Sequence, residues 1–322
     1  MTPRHRRPVL VLTNPYDVTA DVVLRVLAHR RSPVVRLDPG TDLHTGASLT
    51  ASFRTDGRRG TLRTPSRELD LTEVGAVWVR RASPYEGPAD LDGQERRFAA
   101  SQSVWGAGGI LASLPGAHYV NHPWANRAAE HKPAQLAAAQ RSGFAVPDTL
   151  VTNDPQEARD FVALQRAGAV YKPVWNTPYS VDGEPRAVWV RDVRAQEITD
   201  AVRACPHLFQ ARVPKAYDAR VTAVGDRLFG VRIDSPDLDW RHRQDLMTCT
   251  PIAVPEPVAR SVADYLGHFR LVFGAFDFAV TPDGSWSFLE CNPNGQWAWQ
   301  PPETTDRIAH ALADELQRGP DA

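Results

Sequence analysis

One stretch constrains this chain more than any other: residues 273–297, FGAFDFAVTPDGSWSFLECNPNGQW. Two apolar, aromatic-rich runs flank Asp283-Gly284, the dipeptide best suited to a two-residue type I′ turn, so the spacing predicts a hairpin. With a tight turn Pro282 faces Ser285, and Asp277 stands directly opposite Glu290. Alternation then puts Asn292 on the same face as Glu290, one step on, and turns Cys291 to the core. Directly opposed residues have Cβ atoms about 4.5–5.5 Å apart, where two bare carboxylates repel. Phe276, Phe278 and Leu289 mark the hairpin as largely buried, and a buried unpaired carboxylate is expensive. A cation relieves both problems. Two carboxylates and an amide oxygen are hard donors that suit Mg²⁺, which takes few protein ligands and leaves its other positions to phosphates. The bland alternative is a pair of solvated acids at a hairpin end.

Composition narrows the classes. With 322 residues the chain holds two or three packed units. Its 42% apolar and 23% charged content are those of a globular protein, and a net charge of −1 gives no electrostatic reason to expect nucleic acid or an anionic membrane as partner. No apolar run approaches the roughly 18 residues of a membrane span. The basic start is followed only by Val9 to Leu12, too short for a signal-peptide core, so the expected compartment is the cytoplasm. Cys205, Cys249 and Cys291 show neither metal-ligand spacing nor a disulfide framework.

In chain order, Val9–Leu12, a helix from Thr19 and a strand over 33–38 open the chain as β-α-β. Residues 48–63 read as a hairpin around Asp56-Gly57. The strand Ala76–Val79 runs into Arg80-Arg81, at the end of a sheet where open α/β folds bind ligands. Residues 89–114 read as helical with a break at Gly106–Gly109, and 118–121 as a short strand. An Ala-rich helix spans Ala125 to Arg141 and carries Lys132; a second begins at Asp154 with Pro155 and Glu157. Lys172 is embedded in the apolar strand 169–175, before a polar loop from Asn176 to Gly183 that suits a phosphate tail or a plain hairpin connection. A helix is expected over 194–204, a strand over 207–213, and a hairpin over 219–234 around Gly225-Asp226. Arg220 and Arg232 lie inside its apolar strands and, like Lys172, need an anion there. Residues 235–250, with Asp239-Trp240-Arg241, form a polar loop too long for a plain connection. Helices over 257–269 and 305–317 complete the reading.

No G-x-G-x-x-G follows the first strand and no G-x-x-x-x-G-K-[ST] occurs anywhere, which disfavours a Rossmann site and a Walker P-loop. Buried cations for phosphate oxygens beside a Mg²⁺ site are nonetheless what phosphoryl transfer requires. The set resembles ATP-grasp enzymes. Lys132 and Lys172 resemble their two nucleotide lysines, the run Gln210 to Val213 their hinge beside the adenine, and Asp277, Glu290 and Asn292 their metal triad. Within that superfamily FLECNPNGQW (288–297), Arg80-Arg81, Tyr171-Lys172-Pro173 and Asp239-Trp240-Arg241 resemble the graspetide synthetases, which join side chains of a ribosomally made precursor peptide.

The resemblance implies an α/β (α+β) ATP-grasp fold with an N-terminal pre-ATP-grasp β-α-β domain. The parts would be 1–123, a central subdomain 124–206 and a C-terminal subdomain 207–322. It implies an ATP- and Mg²⁺-dependent ligase that activates Asp or Glu side chains of the peptide and joins them to Thr or Ser hydroxyls as esters, or to a Lys amine. Arg220 and Arg232 would be catalytic, Lys132, Lys172, Gln210 and Val213 would bind the nucleotide, and Arg80, Arg81, Asp239, Trp240 and Arg241 would meet the peptide's leader or core. The precursor is the expected partner, and a homodimer is left open. A ligase acting on a small amino acid or a protein C-terminus shares every phosphate and metal residue. A nucleotide-binding regulator without chemistry is the third reading.

Overall fold

The computed structural model describes residues 7–175, 179–186 and 188–318. Asn176, Thr177 and Pro178, the first part of the polar loop, lie outside them. By internal contacts the chain divides into two units: Met1–Asn126 with Leu271–Phe273 and Gln296–Ala322, and Arg127–Arg270 with Gly274–Gly295.

The first unit begins with β1 (Val9–Leu12), whose four apolar residues are all buried. The helix α1 (Val18–His29) is capped by the Asp17 carboxylate, which accepts the Ala20 N–H at 3.3 Å. β2 (Val34–Leu37) returns parallel to β1. After the one-turn helix α2 (Asp42–Thr45), β3 (Ser48–Arg54), β4 (Gly57–Thr64) and β5 (Arg67–Asp70) form an antiparallel sheet. β6 (Ala76–Val79) pairs parallel on the other side of β1, and the helix α3 (Gly93–Leu111) leads to β7 (His118–Val120), giving the order β2-β1-β6-β7. The expected break at Gly106–Gly109 is absent: α3 runs through it, since each glycine costs a helix only about 1 kcal/mol. The C-terminal helix (Pro302–Arg318) packs on α1, β6 and β7, with Ile308, Leu312 and Leu316 buried. Buried Asn121 accepts the Val272 and Phe273 N–H groups at 2.7 and 2.8 Å and donates to the Phe273 carbonyl at 2.8 Å.

After β7 the single Ala-rich helix is two, α4 (Pro123–Ala129) and α5 (Lys132–Arg141). Pro133 explains the division, for it has no N–H to give the Ala129 carbonyl. The Gln135 amide takes that role at 2.7 Å. Gly143, at φ +82°, ends α5. β8 (Thr149–Thr152), the helix α6 (Pro155–Leu164), β9 (Ala169–Lys172), β10 (Tyr179–Val181), β11 (Glu184–Arg186), β12 (Arg191–Val193) and β13 (His207–Ala211) follow. Of these, β12-β9-β13-β8 make one antiparallel sheet. The helix expected over 194–204 is instead two short 3₁₀ turns.

The second sheet has the order β16-β15-β14-β17-β18, from β14 (Tyr217–Val224), β15 (Arg227–Asp234), β16 (Thr248–Ile252), β17 (Phe273–Val280) and β18 (Trp286–Asn292). The helix α7 (Glu256–Phe269) precedes β17. Rings of Phe144, Tyr265, Phe276, Phe278 and Phe288 pack together, Phe144 on Phe288 at 5.3 Å and Tyr265 against Phe276 at 5.2 Å. Cys291 is buried, in keeping with a packing role.

Candidate active site

Asp277 of β17 pairs with Glu290 of β18, as the sequence predicts, but by a different route. The turn is not the two-residue one. Gly284 N–H bonds the Thr281 carbonyl at 2.9 Å and Thr281 N–H the Ser285 carbonyl at 3.0 Å, enclosing the three-residue loop Pro282-Asp283-Gly284. Gly284 sits at φ +84°, the left-handed position such loops need. This loop offsets the ladder by one, so Val280 faces Trp286 and Phe278 faces Phe288. A bulge between them and Asp277 then takes up one extra residue, Leu289, and restores Asp277 opposite Glu290. Alternation is broken there: Phe288 and Cys291 are buried in the core, while Leu289 and Glu290 both line a cavity.

That cavity has a volume of 440 Å³, and all its walls come from the second unit. Lys132 enters from the first turn of α5, Lys172 from the end of β9, and Gln210 to Val213 from β13 and the segment after it. Asp239-Trp240-Arg241 closes another side, and Asp277, Leu289 and Glu290 form the floor. Lys215, Asp218, Trp175 and Trp189 line it too. Sequence reasoning missed these four, since none lies in a patterned motif.

The charges are closely ordered. Asp277 meets Arg220 of the neighbouring strand β14 through Nε at 2.7 Å, and Arg220 is itself 3% exposed. Glu290 meets Lys132 through one oxygen and Arg241 Nη2 through the other, the latter at 2.7 Å. The same Nη2 also bonds Asp277. Burial alone would raise the Glu290 carboxyl, but Lys132 and Arg241 hold it well below the usual range. Burial alone would lower the Arg241 guanidinium; Asp277, Glu290 and Asp239 outweigh it and raise it. Lys172 Nζ donates to Gln210 Oε1 at 2.6 Å, and Gln210 is fixed in turn by Thr149 at 2.9 Å. Burial pushes the Lys172 ammonium down to about 8. It pushes the Asp218 carboxyl up to about 6, against the opposing charge of Lys215 at 2.5 Å.

Several predicted residues stand elsewhere. Arg232 forms a two-point ion pair with Asp234 at 2.7 and 2.8 Å, stacks over Tyr217 at 4.2 Å, and does not line the cavity. Its anion is a neighbour on its own strand. Arg80 is 5% exposed and held by Asp17 at 3.3 Å and Gln296 at 2.8 Å, so it is not a free cation for an acidic peptide; Arg81 is exposed. Asn292 is exposed, and its Oδ1 accepts the Asn294 N–H at 2.9 Å, so the structure brings together two of the three expected oxygen donors. Among the described residues no group of three His, Cys, Asp or Glu is placed to hold a metal. The two opposed carboxylates still fit Mg²⁺, which needs only one or two from the protein, and both converge on one cationic nitrogen.

The family model of the MvdD pre-ATP grasp domain matches residues 8–127. No curated protein matches the chain. Among solved structures, a RiPP-associated ATP-grasp ligase of Chryseobacterium gregarium, in complex with ADP and a leader and core peptide, is 26% identical over 96% of both chains, with a TM-score of 0.88. The macrocyclase MdnC of Microcystis aeruginosa MRC, bound with precursor peptide MdnA, is 27% identical over 96% of this chain and 99% of its own, with a TM-score of 0.84. The macrocyclase MdnB of the same organism is 30% identical over 97% of this chain and 100% of its own, with a TM-score of 0.80. This chain belongs to the graspetide synthetases. Its fold is that of an ATP-grasp ligase with a pre-ATP-grasp domain. Among the described residues no helix is long and apolar enough to cross a membrane.

Proposed function

We propose that this graspetide synthetase closes rings in a ribosomally made precursor peptide at the expense of ATP, joining Asp or Glu side chains to Thr or Ser hydroxyls as esters, or to a Lys amine. One observation carries the reading: a single cavity in which Lys132, Lys172 and Arg241 converge on the opposed carboxylates of Asp277 and Glu290. The Chryseobacterium ligase with ADP and peptide, and MdnC with its precursor, support it.

In the first step a peptide carboxylate oxygen attacks the γ-phosphorus, the bond to the β-phosphate oxygen breaks, and ADP departs from an acyl phosphate. A hydroxyl oxygen of the same peptide then attacks the acyl carbon, loses its proton, and expels phosphate. Lys132 and Lys172 neutralise phosphate oxygens as charge shifts between them. Gln210 aims Lys172, Val213 and Leu289 supply apolar wall, and Arg220 holds Asp277 in place. Asp277 and Glu290 would hold Mg²⁺, which supplies charge neutralisation at the phosphates. Asp239, Trp240 and Arg241 would face the core peptide, and residues 1–123, with Arg81 exposed, would read the leader. In this partition 124–206 and 207–322 furnish the two sides of the cavity. Arg80 and Arg232 are given no part in the chemistry.

The test is mass spectrometry of a candidate precursor incubated with enzyme, ATP and Mg²⁺. Each ring removes one water from the peptide, and Glu290→Gln, still folded by circular dichroism, abolishes the loss. An unchanged peptide beside ATP turnover on free amino acids would replace this reading with the small-substrate ligase. Light scattering on the same sample gives the assembly state.

A further inference from the structure

Arg241 occupies the position where a cation shared by Asp277 and Glu290 has to sit. Its Nη2 bonds Asp277 Oδ2 and lies 2.7 Å from Glu290 Oε1. Each carboxylate already has a cation of its own, Arg220 for Asp277 and Lys132 for Glu290. The third cation is therefore the shared one. It comes from a loop between β15 and β16 that is anchored independently of the two carboxylates. Lys215 Nζ donates to the Leu238 carbonyl at 2.7 Å, Arg243 Nε donates to Asp237 at 2.8 Å, and Trp240 is 4% exposed. The Arg241 side chain itself is tethered by Asp239 at 3.3 Å and lies over the Trp240 ring at 4.6 Å.

A divalent ion and this guanidinium exclude one another. Mg²⁺ binds carboxylate oxygens at about 2.0–2.1 Å, and an ion that close to the same two oxygens would lie within van der Waals contact of Nη2. The two positive charges would also repel across that short gap.

We infer that Arg241 is a displaceable stand-in for the metal: it holds the Asp277–Glu290 pair closed in the nucleotide-free protein, and loading a divalent ion turns its guanidinium out into the cavity. The loop anchors stay, so only the side chain moves. The guanidinium leaves two carboxylates for a cation of higher charge and becomes free for an anion in the cavity. Metal entry and the appearance of that anion-binding arginine are thus one event. The inference rests on the proposed use of Asp277 and Glu290 as metal ligands, but not on what peptide or product the enzyme makes.

The experiment uses the full chain without nucleotide or peptide, with Mn²⁺ as probe. Free Mn²⁺ measured by electron paramagnetic resonance gives the affinity of the wild type and of Arg241→Gln. Losing the competing cation is expected to tighten binding at least about tenfold, a change of about 1.4 kcal/mol. Arg241→Lys, which keeps the charge, should return most of the weak binding. Equal or weaker Mn²⁺ binding by a folded Arg241→Gln overturns the inference. A second measurement needs no change at Arg241: Mn²⁺ titrated into the wild type should alter tryptophan emission as the guanidinium leaves the Trp240 ring. Trp240→Phe should abolish that component. Saturable Mn²⁺ binding without any change in emission also overturns it. Failure to cyclise a peptide leaves both readouts unaffected, so failure of the proposed function is distinguishable from failure of this one.

Discussion

Lys172 is the residue whose protonation should be visible in function. Burial lowers its ammonium to about 8, the Glu290 charge opposes this, and Lys132 and Arg241 add to it. A phosphate favours the charged form. Affinity for ADP should therefore fall as pH rises past about 8, where the free protein loses this proton and a bound phosphate must restore it. Equilibrium titration of ADP between pH 7 and 9 measures this, and Lys172→Arg, which keeps its charge, should flatten the fall. An equal slope in both proteins would show that another group controls it. Stability has the opposite sign from the usual paired lysine. The folded pKa lies below the unfolded value of 10.5, so the unfolded chain binds the proton more firmly between about 8 and 10.5. The penalty of burying this charge is full below pH 8 and is relieved as pH rises through that window. Lys172 and Arg220 are legible in sequence because a cation inside an apolar strand needs an anion or a fixed dipole. Which group provides it is not legible. Arg220 finds Asp277, whereas Arg232 shows the same pattern and finds Asp234.

Among the elements, α5 and β18 are tied along their backbones by the side chain of Gln135. Gln135 donates to the carbonyls of Ala129 at 2.7 Å and Cys291 at 2.9 Å, and accepts the Cys291 N–H at 3.0 Å. It thus completes the helix start that Pro133 leaves short and fixes the strand beside Glu290. Gln135→Met keeps the volume and strands three backbone groups, each worth about 1–3 kcal/mol when buried and unpaired. A loss of at least about 3 kcal/mol in urea unfolding is expected, together with weaker nucleotide binding, because Lys132 and Glu290 sit on the two elements it joins. A change under about 0.5 kcal/mol, the usual size of a neutral surface substitution, would mean that other groups replace it. The hairpin at this scale was legible only in part. Asp283-Gly284 marked the turn, and the facing of Asp277 and Glu290 was right. A three-residue loop and a bulge cancel in register, however, and only the face of Leu289 reports that they are there. Neither device has a composition signal, whereas the opposed aromatic runs do.

At the scale of the whole molecule the chain leaves its first unit after Asn126 and comes back to it twice, at Leu271–Phe273 and from Gln296 onward. Local periodicity found many of the helices and strands of both units, though not β5, β8, β12 or β16, and it carries no information on which unit a returning segment joins. The last helix reads in sequence as the end of the C-terminal part. Its apolar face instead covers α1, β6 and β7 of the first unit, with Ile308 and Leu312 at 0% and Leu316 at 2% exposure. Arg30 clasps it through Asp314 at 2.7 Å and Gln317 at 2.9 Å. Burying three such side chains is worth about 5–9 kcal/mol at about 1.5–3 kcal/mol each, comparable to the whole stability of an ordinary domain, about 5–15 kcal/mol. A chain ending at Gln300 should therefore lose the folded state of residues 8–126. The second unit keeps its own core around Phe144, Phe276, Phe278 and Phe288, all of it present in the shortened chain. Limited proteolysis followed by mass spectrometry separates the two: early cuts are expected throughout residues 8–126, and slow ones between 127 and 295. Equal resistance of residues 8–126 in the full and shortened chains would show that the β2-β1-β6-β7 sheet holds together without its covering helix.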